Sequence, residues 1–271
     1  MDRVQRLATI ARMLPAILKS AQSYCDASRK LSEYPREFDV LQGYALEEAA
    51  KALILLDVVR CPPRRWNHSR RIVKRAVQHL ARLIYAEMVG LRPANLEEIR
   101  TYVDAARQSH YLEGDLGEFI AANSLIDRRE RALYADLEKL EEGDYRVVSP
   151  ADDRTFSGSP HYIIELLKSM VRLGFFSERG IMIIAEVWGK LEFGLSNGFE
   201  ECSSLMQETV EKLNSAGLID AGATQDDYER VLLNWPFPMY SLDMSPVSVS
   251  LASLEAERER ILAREAGVDY Y

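Results

Sequence analysis

The residue types best suited to chemistry crowd into one stretch, Arg64-Arg-Trp-Asn-His-Ser-Arg-Arg-Ile-Val-Lys-Arg75. Arginine forks bind phosphate bidentately. An exposed tryptophan offers a stacking face to a nucleobase. His68 lies between them, placed to act as a base. Arg64 and His68 form the first candidate catalytic pair. Arg60, Arg65, Trp66, Arg70, Arg71, Lys74 and Arg75 are the candidate RNA- or phosphate-binding set. The plainer alternative is a solvated cationic face. A second Arg/His pair, Arg154-x6-His161, opens a helix after a Gly/Ser-rich loop. Arginine and histidine across a helix start are also suited to holding and cleaving a phosphodiester.

A third constellation lies in Tyr44-Ala-Leu-Glu-Glu-Ala-Ala-Lys51. Between Tyr44 and Leu56 the only charges are Glu47, Glu48 and Lys51. At about 100° per residue, these three and Tyr44 share one stripe of a helix that is otherwise apolar. Such a helix is normally buried, and buried charges need partners. The plain reading is a structural Glu47–Lys51 pair one turn apart. The sharper one is a polar cluster that faces a cleft or a subunit interface and orients the site. His79 and His110 receive no role, and His79 reads as a core-boundary residue within a helix. No His, Cys and carboxylate spacing fits a metal, and no cofactor is implied.

The bulk charge is −8 over 271 residues, with a pI near 5.2. That excludes a uniformly basic nucleic-acid coat. The average conceals a segregation. Arg60 to Arg82 holds eight Lys/Arg and no acid, while the other 248 residues carry 26 basic and 42 acidic side chains. Three widely spaced cysteines (Cys25, Cys61, Cys202) suggest reduced thiols in a cytoplasm rather than a disulfide framework. The N-terminal apolar run is broken by Arg12 and Pro15 and is too short to span a bilayer.

Helical periodicity dominates the elements that must position these residues, and the fold class expected is all-α. Residues 3–31 predict one long helix or two joined at Pro15. Pro35 suits the first turn of a second helix ending at Arg60, before Cys61-Pro62-Pro63. A third is expected over Ser69–Met88 and a fourth over Asn95–Arg107. Residues 108–158 are irregular, with Tyr145-Arg-Val-Val as the best extended piece. Further helices are expected from Ser159-Pro160 to Leu173, from Ser177 to Phe193, over 200–215 and over 225–234. Trp235-Pro-Phe-Pro is read as the end of the compact part, and 250–266 as a charged helix in a mobile or partner-docking tail. The organisation expected is a helical core over 1–150, an extension over 151–240 and a tail over 241–271.

The helix Tyr44…Leu-Glu47-Glu48-x-x-Lys51, the turn with its Arg-rich stretch around His68 and Lys74, and Arg131-Ala-Leu-Tyr134-Ala-Asp136-Leu followed by Ser149-Pro150 occur in that order. This ordered set resembles the AbiV family of abortive-infection proteins, in the HEPN superfamily, over roughly residues 10–150. The resemblance implies a HEPN-like helical bundle, usually a homodimer, acting in bacterial defence against phage by arresting translation under control of a phage-encoded protein. Many HEPN proteins are metal-independent endoribonucleases that use an R-x4-6-H motif. The His deprotonates a ribose 2′-OH and the Arg stabilises the charged transition state. Arg64-x3-His68 is one residue shorter than that motif, whereas Arg154-x6-His161 fits it. A non-catalytic RNA- or protein-binding module acting by sequestration is the alternative expectation.

Overall fold

A computed structural model of the protein describes residues 2–139, 144–149 and 159–266. Its first helix, α1 (Arg3–Arg29), is closed at the start by a capping box between Asp2 and Gln5. Pro15 lies on the exposed face and does not divide it. Five residues turn the chain back into α2 (Pro35–Arg60), with Pro35 in the first turn. The apolar run of α2 is buried on nearly every side from Ala45 to Arg60. It is the central element, packed against α1 and five later helices.

A short 3-10 turn, Pro63–His68, leads into α3 (Ser69–Arg75). The helix expected over Ser69–Met88 is in fact two. Ala76, Val77 and Gln78 each donate to the carbonyl three residues back, which tightens the end of α3. A new helix, α4 (His79–Met88), then starts at His79. α5 (Leu96–Ala106) is capped by Asn95, whose side chain accepts from the Glu98 N–H at 3.0 Å.

Two antiparallel ribbons of four-residue strands qualify the all-α expectation. β1 (His110–Glu113) pairs with β2 (Phe119–Ala122), His110 opposite Ala122. Gly114 and Gly117 take positive φ in the connecting turn, which suits glycine. After α6 (Ser124–Leu133), β3 (Asp136–Lys139) pairs with β4 (Tyr145–Val148), the extended piece the sequence suggested. Pro150 lies outside the described residues.

The chain continues through α7 (His161–Arg172), α8 (Glu178–Trp188), α9 (Phe199–Ser215), α10 (Gln225–Asn234) and α11 (Leu251–Glu265). α7 and α8 pack directly on α1 and α2. One hydrophobic core therefore runs from Leu7 to Met244, so residues 1–150 and 151–240 share an interior.

Trp235-Pro-Phe-Pro does not end the packed part, because the strap that follows it is held to α2. Asp57 and Arg60 are fully buried. Arg60 binds the Asp57 carboxylate, donates to the carbonyls of Trp235, Pro236 and Phe237, and lies 3.4 Å over the Trp235 ring. The Met239 N–H and the Tyr85 hydroxyl donate to the same carboxylate at 2.8 and 2.7 Å. A buried ion pair persists only when hydrogen bonds satisfy its remaining atoms, and here backbone 175–182 residues away supplies them. No helix is long and apolar enough to cross a membrane among the described residues.

Candidate active site

Glu47 is the residue around which the site is built. It sits on the buried face of α2, only 3% exposed. Its partners are brought by other elements. Oε1 accepts from Arg129 Nε of α6 at 2.9 Å. Oε2 accepts from Arg82 Nη1 at 3.0 Å and meets His79 Nδ1 at 2.7 Å, both on α4. Arg82 also donates to the Ala76 carbonyl, fixing the turn that starts α4. Arg129 reaches further, with Nη1 on Glu130 Oε1 at 2.8 Å and Nη2 3.4 Å from His79 Nε2.

These contacts select one His79 tautomer. A carboxylate only accepts and a guanidinium only donates. Nδ1 therefore carries the hydrogen toward Glu47, and Nε2 keeps its lone pair beside Arg129. The ring is 47% exposed. The arrangement is an imidazole anchored on Glu47 through Nδ1, with Nε2 against a fixed guanidinium. Two glutamates and two arginines balance around it.

The polar stripe predicted on α2 is divided. Lys51 pairs with Glu48, three residues back, and not with Glu47. Tyr44 faces Tyr24, ring centroids 5.8 Å apart. Only Glu47 of the four enters the site. His79, Arg82 and Arg129 escaped the sequence reading. The one available signal was that a carboxylate in so apolar a helix demands cations.

The basic block is also divided. Arg60 is sealed in the core, and Arg75 is buried with Nη1 on the Met239 carbonyl at 3.0 Å and Nη2 on that of Leu242. Both were grouped with the phosphate-binding residues, but they face inward because the strap's carbonyls need donors. Arg65 pairs with Glu192. Trp66 is covered by Arg3 and Arg6, 5.3 and 5.9 Å from its ring centroid. Arg64, His68, Arg70, Arg71 and Lys74 stay exposed, without partners among the described residues.

His68, Arg71 and Lys74 line a pocket of about 380 Å³ against the strap, whereas Arg64 stands outside it. Cys61 and Tyr240 also reach this pocket, and burial pushes the thiol up to about 11 and the phenol to about 12. Neither serves as a nucleophile near neutral pH. A second cleft of about 660 Å³ holds His79, Glu130 and His110, and the two hollows share Gln78 and Met244 as a common wall. Exposed cations thus line a hollow that adjoins the cleft holding His79.

No family model, curated protein or solved structure matches this chain.

Only His161 of the second sequence pair lies among the described residues. His161 is exposed at the start of α7, its ring against Tyr162, and Arg154 lies outside the described residues. All three cysteines are buried and free. Among the described residues, no three His, Cys, Asp or Glu are grouped to hold a metal ion.

Proposed function

We propose that the protein binds single-stranded RNA on the exposed part of the basic block and cleaves it without a metal ion. The observation that carries this reading is the single-tautomer His79, anchored on buried Glu47 and opening into a cleft beside unpaired cations. His79 Nε2 gives up its contact with Arg129 Nη2, accepts from a ribose 2′-OH and takes its proton. The 2′ oxygen attacks phosphorus, the P–O5′ bond breaks, and Arg129 offsets the charge gathered on the phosphoryl oxygens. Arg71 and Lys74 hold a neighbouring phosphate as positive charges, with His68 beside them as a contact rather than as a catalyst. The catalytic pair is thereby reassigned from Arg64 and His68 to Arg129 and His79. The AbiV-like order of motifs supports a homodimeric anti-phage protein that arrests translation and answers to a phage-encoded activator.

The test is end-labelled RNA incubated with purified protein in EDTA. Fragments ending in 2′,3′-cyclic phosphate are expected. The unpaired cations also favour a second reading, sequestration. In that case RNA stays intact and bound, and binding weakens steeply with salt.

A further inference from the structure

The two adjoining hollows differ in character. The smaller one, about 380 Å³, presents unpaired positive charge. Of its cationic side chains, Arg65 is tied to Glu192 and Arg75 to the strap's carbonyls, which leaves Arg71 and Lys74. The acid on its rim, Asp243, is already held by Arg107 and by the Ser245 N–H at 2.9 Å.

The larger cleft, about 660 Å³, is lined by apolar groups from separate elements: Val77 and Leu80, Ala122 of β2, Ile126 of α6, and Met244. Val77 is 72% exposed, so this lining is open to a ligand. The charges around the cleft are matched, Glu130 with Arg129, Asp127 with Arg131, and Arg107 with Asp104 and Asp243. Two imidazoles, His79 and His110, complete the wall. Apolar walls and flat rings suit an unstacked nucleobase, and both volumes fall in the range of small-ligand sites.

Gln78 borders both hollows. It stands in the break between α3 and α4 with extended backbone, φ −102° and ψ 121°. Its N–H donates to the Arg75 carbonyl at 3.0 Å and its carbonyl accepts from the Arg82 N–H at 3.1 Å, so its main chain is fixed. The side chain is exposed, does not cap α4 and has no partner among the described residues. An amide carries donors and an acceptor side by side. Such a group distinguishes base edges, because the order of donors and acceptors differs from base to base.

Positive charge on one side, an apolar slot on the other and a free amide between them match the layout of a nucleotide. We propose that the two hollows form one nucleotide subsite, with the phosphate on Arg71 and Lys74, the base in the cleft and the base edge on the Gln78 amide. The inference rests on the RNA-binding reading above and adds to it a base preference set by Gln78. It is independent of which histidine exchanges a proton. Bases in a duplex stay stacked, so the subsite takes single strands.

Equilibrium dialysis of the purified chain in EDTA against AMP, GMP, CMP and UMP, their nucleosides and inorganic phosphate tests this. The best monophosphate is expected to bind at least about tenfold more tightly than its nucleoside or phosphate alone, the yield of one charge-assisted hydrogen bond. The best and worst monophosphates should differ by about tenfold, the worth of one base contact. Gln78→Leu should bring the four within about twofold of one another. Arg71→Gln combined with Lys74→Gln should bring the best monophosphate level with its nucleoside. Each variant is read once its circular dichroism matches wild type. Monophosphates bound no better than phosphate, four monophosphates bound alike by wild type, or a spread that survives Gln78→Leu each overturn the subsite. Filter binding of single-stranded RNA is measured alongside. RNA bound without this nucleotide pattern overturns the subsite alone, whereas no RNA bound overturns the RNA-binding reading and the subsite with it.

Discussion

Removing the Glu47 carboxylate strands two arginines and a histidine around a site that is 3% exposed. Breaking a buried charge cluster from one side costs about 3–5 kcal/mol, so Glu47→Ala is expected to lower the urea midpoint markedly. Glu48→Ala removes a partly exposed pair and should cost about 0–1 kcal/mol. Asp227 gives a pH-dependent case. Its carboxylate is held well below the ordinary range by Arg172, with Ser169 and the Thr224 N–H adding hydrogen bonds. A depressed folded-state pKa contributes stability above the unfolded value of about 3.9, and that stability is lost as pH falls below it. Unfolding free energy should therefore drop below about pH 4, and Asp227→Asn should flatten that slope in denaturant titrations. Glu47 was recognisable at this scale because charge is rare on its helix. Its partners were not, since they lie 32, 35 and 82 residues away and only packing unites them.

Element boundaries followed local chemistry closely. Pro35, Asn95 and Ser177 start helices where capping rules place them. The break at Ala76–Gln78 was not legible, because residues 69–88 contain no glycine or proline to announce it. It arises where Arg75 and Arg82 are drawn to the strap and to Glu47 on either side. That break puts His79 at a helix start and makes the site. The C-terminal helix behaves differently. Leu254 is its one buried residue among those described, and the helix packs against the β1–β2 ribbon. Leu254→Ala should cost about 2 kcal/mol, the burial of that one side chain. Thermal unfolding followed by circular dichroism checks this.

Over the whole molecule, the sequence's charge segregation survives in sharper form. Three of the block's arginines, Arg60, Arg75 and Arg82, are held in the packed interior or on Glu47, and Arg65 is tied to Glu192. A compact exposed group then remains in an otherwise acidic protein, so the field is focused on one hollow. Charge counting located this region but could not separate inward from outward arginines, because that depends on where residues 235–242 run. Substituting Arg71 and Lys74 by Gln should reduce the slope of log affinity against log salt by about 0.7 per cation for single-stranded RNA. Filter binding at several salt concentrations measures it. The central claim concerns which histidine removes the 2′ proton. It is tested most directly by comparing single-turnover RNA cleavage by His79→Ala and His68→Ala in EDTA at saturating protein. The account predicts that His79→Ala abolishes cleavage while His68→Ala still cleaves at near the wild-type rate; cleavage that survives His79→Ala and vanishes with His68→Ala contradicts it.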